Sequence, residues 1–236
     1  MKLIWICCFS IFSSLCFSQS DDQNQANTVK NQKYGLRIGA DITKLGYALF
    51  DKNYSGLEIV ADYRYNQKIY FATELGYENK TSNTPQLNYN TSGTFLKIGF
   101  DYNTYQNWLD MQNQIYIGFR YGTSLYNQTL NNYRIYYNTN GFFDEHQLIV
   151  ADSKYPNLNA HWIELAGGIK VEILKNIFIG FKIALHYKVA ESKLNNFENL
   201  YIPNFGRTYQ DSNFGVGFNY TVSFLLPFYS KSTPTQ

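Results

Sequence analysis

Residues 177–187 read Ile177-Phe178-Ile179-Gly180-Phe181-Lys182-Ile183-Ala184-Leu185-His186-Tyr187, and this stretch decides the fold. Ile177, Ile179, Phe181, Ile183, Leu185 and Tyr187 share one parity, while Phe178, Gly180, Lys182, Ala184 and His186 share the other. Successive side chains of a strand point to opposite faces, so this is a strand with one apolar and one mixed face. The same period of two recurs in seven further segments, at about 34–42, 56–65, 69–78, 93–102, 114–124, 161–173 and 214–226. In none of them does an Asp, Glu, Lys or Arg occupy the apolar parity. Charge sorted this way over eight segments points to one all-β sheet with two chemically distinct faces.

The connections carry a second signal. Residues 66–68 and 174–176 are short, 103–113 is intermediate, and 43–55, 79–92, 125–160 and 188–213 are long. Longer and shorter links alternate, as in an outer-membrane barrel with short periplasmic turns and long outside loops. The expected fold is therefore an eight-stranded antiparallel up-and-down transmembrane β-barrel with both termini on the periplasmic side. The longest connection holds Tyr133–Tyr137, an Asn140-Gly141 turn and Gln147–Ala151, a possible extra hairpin. If that hairpin crossed the membrane the barrel would have ten strands. Its apolar faces are short, which favours eight.

Alternation alone does not say which face points inward. A soluble barrel buries its apolar parity, whereas a membrane barrel turns it to lipid. Glycine crowds the charged parity (Gly35, Gly39, Gly76, Gly99, Gly118, Gly122, Gly168, Gly180, Gly215, Gly217), which suits a narrow interior better than an open surface. Tyr34, Tyr63, Tyr65, Tyr77, Phe100, Tyr102, Tyr121 and Tyr187 stand near segment ends, where interfacial girdles belong. The last segment ends in Phe224-Leu225-Leu226-Pro227-Phe228-Tyr229, similar to the aromatic-terminated final strand of outer-membrane barrels.

With 236 residues, the chain is long enough for one barrel. A net charge of +2 argues against general nucleic-acid binding. After the N-terminus no apolar run approaches the ~18 residues of a helical span. The 22 tyrosines and 18 phenylalanines argue against disorder, although mean hydropathy is negative. Met1-Lys2 followed by an apolar or small run to Phe17 reads as a signal segment over 1–18, with cleavage before Gln19. The alternatives are an N-terminal membrane anchor, or lipidation of Cys16, for which Leu15 is a poor preceding residue. Cys7, Cys8 and Cys16 all lie in this segment, so the mature chain has no disulfide, thiolate nucleophile or cysteine metal site. Residues 19–33 read as a flexible periplasmic leader, 34–229 as the barrel and 230–236 as a short tail.

The mixed faces would put Arg37, Arg64, Lys97, Arg120, Lys170 and Lys182 in the lumen with Asp41, Glu58, Asp62, Glu74, Glu78, Asp101, Glu164 and Glu172. An eight-stranded lumen is just wide enough for side chains, so these charges and His186 should form a paired, hydrogen-bonded plug. A Ser/His/acid site from Ser124, His186 and Glu164 has the right residue types, but nothing in the sequence fixes its geometry. Asp144-Glu145-His146 lacks metal-ligand spacing. No cofactor and no metal are expected.

The long loops are rich in aromatics: Tyr126, Tyr133, Tyr136, Tyr137, Phe142 and Phe143 in one, Tyr201 and Phe205 in another. Exposed beside Asn and Gln they would suit surface glycans or envelope proteins. The plainer reading, slightly favoured, packs the loops on one another as a lid or extends the strands past the bilayer.

Several motifs carry a family resemblance: Tyr34-Gly-Leu-Arg-Ile-Gly39, Gly99-Phe-Asp-Tyr-Asn-Thr-Tyr105, Ile117-Gly-Phe-Arg-Tyr-Gly122, Asn159-Ala-His-Trp162, Asn199-Leu-Tyr-Ile-Pro203 and Phe214-Gly-Val-Gly-Phe-Asn-Tyr220. Read in order over 34–229, the chain resembles a family of Bacteroidota envelope proteins, a domain of unknown function of outer-membrane-barrel type. The resemblance implies location and architecture and brings no catalytic residue. The expected function is a non-enzymatic, structural or accessory outer-membrane barrel of a Gram-negative cell, in contact with lipid and with envelope proteins through its loops. The alternatives are a cell-surface adhesin using residues 125–160 and 188–213, and a lipid- or peptide-modifying enzyme.

Overall fold

The structure, a computed structural model, describes residues 30–105, 112–134, 148–194 and 197–233. Its strands are β1 (Lys30–Asp41), β2 (Tyr54–Arg64), β3 (Ile69–Asn83), β4 (Leu87–Asn103), β5 (Gln114–Arg134), β6 (Leu148–Leu174), β7 (Ile177–Glu191), β8 (Tyr201–Ile202), β9 (Gly206–Arg207) and β10 (Phe214–Thr233). One nine-residue helix, α1 (Ile42–Phe50), separates β1 from β2. Eight strands close a barrel in the order β1-β10-β7-β6-β5-β4-β3-β2, and β8 and β9 form a separate two-stranded ribbon. Asn31–Lys231 make one compact unit. No helix among the described residues is long and apolar enough to cross a membrane.

The parity read from the sequence is the parity of the barrel. Along β7, Phe178, Lys182, Ala184 and His186 are buried, while Ile179, Ile183, Leu185 and Tyr187 are exposed. The outward face of the ring continues as Leu75, Ile98, Phe119, Leu165 and Phe218, all exposed. The fully buried side chains include Arg120, Lys97, Glu58 and Glu164. The molecule is therefore turned inside out relative to a soluble barrel, with its charges inside and its apolar belt outside. Glycine makes this interior possible. A side chain on Gly122 would strike the indole of Trp162, its cross-strand partner, and one on Gly99 would strike the Phe119 carbonyl.

Some boundaries differ from the sequence reading. β1 starts at Lys30, inside the expected leader, and β10 runs through Thr233, into the expected tail. Tyr34 is buried rather than in a girdle; its ring stacks on Tyr229 at 5.2 Å. The extra hairpin is no additional pair of barrel strands. β5 and β6 simply run on, pairing Gln128 with Tyr155 and Arg134 with Leu148, so the ring stays at eight. The two strands extend each other because their backbone groups are already in register, and two bulges absorb the mismatch. The signal segment 1–18, residues 19–29 of the leader and the Asn140-Gly141 turn lie outside the described residues.

At the end of the long loops the wall is incomplete. Ala40 pairs with Ile59, and Gly39 abuts Val222 and Ser223, so β1 stops level with Tyr220. Beyond that level Tyr54–Leu57 of β2 and Phe214–Asn219 of β10 have no β1 between them. Helix α1 stands there instead. Asp41 caps it, accepting from the Thr43 backbone N–H at 2.7 Å. The Tyr220 N–H donates to Thr43 Oγ1 at 2.7 Å, and Asn219 Nδ2 donates to Asp41 Oδ2 at 2.5 Å.

Candidate functional site

The lumen holds one connected ladder of ion pairs. At the short-turn end Arg37 pairs with Asp62 at 2.6 Å and also donates to Gln114 at 2.5 Å. Lys170 bridges Asp62 (2.7 Å) to Asp101 (3.5 Å). Arg120 bridges Asp101 (2.5 Å) to Glu74 (3.5 Å). Lys182 joins Glu74 (2.7 Å) to Glu164 (3.2 Å). Lys97 pairs with Glu74 and lies 3.3 Å from Glu58 and 3.6 Å from Glu164. Lys44 closes the ladder at the long-loop end, 2.8 Å from Glu58 and 2.6 Å from Glu78. Six cations thus face six carboxylates, a neutral plug in which no member of either set lacks an opposite charge. Unpaired, each buried ion would cost several kcal/mol.

The sequence reading placed most of this network but not all of its roles. Arg64 is buried and pairs with no carboxylate among the described residues; it donates to Gln32 (2.7 Å) and lies over Tyr34 and Tyr70. Asp41 serves the helix cap and Asn219. Glu172 accepts from the backbone N–H groups of Gln112 (3.2 Å) and Asn176 (2.9 Å). Lys44 is the member that was missed. It belongs to a connection with no period of two, and an amphipathic helix turns that lysine inward while Ile42, Leu45 and Leu49 stay exposed. Burial opposes its charge, but Glu58 and Glu78 outweigh burial and hold the ammonium above the ordinary lysine range.

The loop after β7 folds back into the mouth. Ile202 and Phe205 join Phe95, Tyr126, Leu158, Ala160 and Trp162 in a buried apolar cluster, and Tyr201 packs with Tyr89 and Leu130. Gln128, fully buried, accepts from the Leu200 N–H (2.8 Å) and donates to the Glu198 carbonyl (2.9 Å). Tyr201 donates to Glu78 Oε2 at 2.7 Å, and the Asn204 N–H donates to the same oxygen at 3.0 Å. Burial and the Glu78 carboxylate push the Tyr201 phenol well above the ordinary tyrosine value. The left-handed turn this requires is taken by Asn204 (φ 66°) and Gly206 (φ 101°).

For Tyr126, Tyr201 and Phe205 the structure follows the plainer reading, a packed lid, and not the alternative of a displayed aromatic surface. They are 2%, 7% and 2% exposed, because burying them in the mouth removes more apolar area from water than displaying them would. Tyr133 is half-buried, and Tyr136, Tyr137, Phe142, Phe143 and the Asp144-Glu145-His146 cluster lie outside the described residues.

His186 lies inside, with Nε2 3.2 Å from Glu164 and Nδ1 3.4 Å from the Phe205 carbonyl. Ser124 Oγ donates to the Thr94 carbonyl at 3.1 Å. The imagined Ser–His–acid relay is therefore not assembled: the histidine is held by acid and loop, and the serine faces backbone. Among the described residues no group of three or more His, Cys, Asp or Glu is placed to hold a metal ion.

Comparison with known proteins returned no match among curated sequences. Among solved structures the chain is similar to Ail, the attachment invasion locus protein of Yersinia pestis, with a TM-score of 0.39 and 10% identity, covering 85% of this chain and 99% of that one. Over residues 1–231 the chain matches the family described as a domain of unknown function, DUF6048, and it belongs to that family.

Proposed function

We propose that this protein is an integral outer-membrane barrel of a Gram-negative cell, exported by residues 1–18, that acts as a non-enzymatic structural or accessory element of the envelope. The observation that carries this reading is the pairing of an exposed apolar belt with a charge-neutral ion-pair ladder filling the lumen. A soluble protein would leave Leu165, Ile183 and Phe218 in water at great cost, whereas lipid accepts them. A plugged lumen leaves no path for large solutes, so the working surface is the outside end. There the β5–β6 ridge, with Leu148 and Val150 exposed, is the place we assign to a protein or glycan partner.

Gel mobility with and without boiling, on fractionated membranes, tests the placement. A boiling-dependent shift in the outer-membrane fraction supports it, and a soluble periplasmic protein with no shift overturns it. Planar-bilayer recording should show no stable conductance. Trimming the ridge within residues 125–160, Leu148 and Val150 included, should leave insertion intact and abolish any surface binding that the whole protein displays.

A further inference from the structure

At the gap in the wall, a cavity of about 350 Å³ lies between α1, the free stretch of β10 and the plugged lumen. Its two sides differ in chemistry. Toward the bilayer stand Val216 and Phe218, 72% and 50% exposed. Leu49 and Phe50, next in sequence to the lining residue Asp51, are 82% and 90% exposed. The polar part of the lining includes groups that the ladder's ion pairs do not use. Lys80 makes no ion pair among the described residues; its ammonium lies 4.9 Å from the Tyr201 ring centroid. The Asp51 carboxylate, exposed just past the end of α1, accepts the Asn53 N–H at 2.9 Å and makes no ion pair among the described residues. The Asn204 side-chain N–H₂ is buried and finds no acceptor among the described residues. A buried donor left unpaired is costly, and one lining a cavity is satisfied by what enters it. Gly217 keeps the space open, since a side chain there would meet the His186 ring at 3.1 Å.

We propose that this gap is a lateral portal that seats the head of a bilayer amphiphile carrying both a phosphate and an ammonium group, with its chains left against Val216, Phe218 and Phe50. The head meets Lys80 and the Asn204 amide with its phosphate, and Asp51 with its ammonium. A lining that offers the Lys80 ammonium and the Asp41 and Asp51 carboxylates, all outside the ion pairs of the ladder, favours a head with both signs of charge over a purely anionic one. The proposal rests on the outer-membrane reading, because only an embedded barrel presents the gap to lipid.

The test uses the full chain refolded in phosphatidylglycerol nanodiscs doped with either diazirine-tagged phosphatidylethanolamine or diazirine-tagged phosphatidylglycerol, cross-linked and mapped by mass spectrometry. The tagged phosphatidylethanolamine should label residues 47–54 and 214–219 several-fold more than the β4–β5 wall, and tagged phosphatidylglycerol should not. Gly217→Leu and Lys80→Gln should each remove most of the excess. Uniform labelling around the barrel, equal labelling by both lipids, or an excess that survives both substitutions would overturn the portal. Boiling-dependent mobility is measured on every sample. If Gly217→Leu fails to fold, Lys80→Gln carries the test. A chain that never inserts defeats the membrane reading, while an inserted barrel with uniform labelling defeats the portal alone.

Discussion

The Asn204 side-chain oxygen accepts a hydrogen bond from the Lys44 ammonium at 2.7 Å, across 160 residues of chain. One residue belongs to the loop that folds back into the barrel and the other to the helix that replaces the end of β1. Their meeting ties both devices to Glu78, which each of them also touches. The mouth is thus held shut by the end of the same ladder that fills the lumen.

Lys97 is the centre of that ladder, 1% exposed and facing Glu58, Glu74 and Glu164. Lys97→Met leaves three carboxylates short of a cation and should cost about 3–5 kcal/mol. Urea unfolding of the protein in lipid vesicles measures this. A midpoint equal to that of the parent would mean that the ladder does not hold the barrel.

Gly122 and Gly167 make a matched pair of substitutions. A side chain at Gly122 runs into Trp162, whereas one at Gly167 meets nothing within 4 Å. Gly122→Val should therefore destabilise by about 1–3 kcal/mol or block folding, and Gly167→Ala should be nearly silent. Thermal unfolding followed by boiling-dependent mobility distinguishes them, and the reverse order would contradict the inward placement of the indole.

Leu165 faces outward, 57% exposed. On a lipid-facing wall Leu165→Arg should cost about 2–4 kcal/mol near the bilayer midplane. On a soluble surface the same change would be neutral. Folding yield into vesicles, compared with that of Leu165→Ala, reads the difference.

The closed mouth should also respond to alkali. Lys44 and Tyr201 both titrate above their ordinary values in the folded protein. A raised folded value contributes stability that is complete below the unfolded value and is lost as pH climbs through the folded one. The mouth should therefore stay shut at neutral pH and open only above about pH 10, the ordinary range of both groups. Subtilisin cleavage within residues 192–213 should be slow at pH 8 and accelerate at about pH 11, and Lys44→Met should cleave quickly at both.

What could be read in the sequence follows the range of the forces involved. The eight strands and their two parities were legible because a period of two is a property of the backbone that local sequence displays directly, and the glycines on the charged parity then marked that face, with most of the ladder's charges, as the inward one. The roles of Asp41, Arg64 and Glu172 were not, because a parity says that a charge points inward but not whom it meets. The burial of Tyr126, Tyr201 and Phe205 was legible only as the slightly favoured of two readings, since an aromatic residue in a loop has the same local signature whether it is displayed or tucked away.

By itself, then, the sequence determined an all-β chain of eight alternating segments with charge confined to one face. The choice of ion partners, the recruitment of Lys44 and the gap bridged by α1 were decided only when the ring closed. Closure brings residues far apart in sequence to within hydrogen-bonding distance, and in a low-dielectric lumen each ion then settles on the arrangement that leaves the fewest charges unpaired.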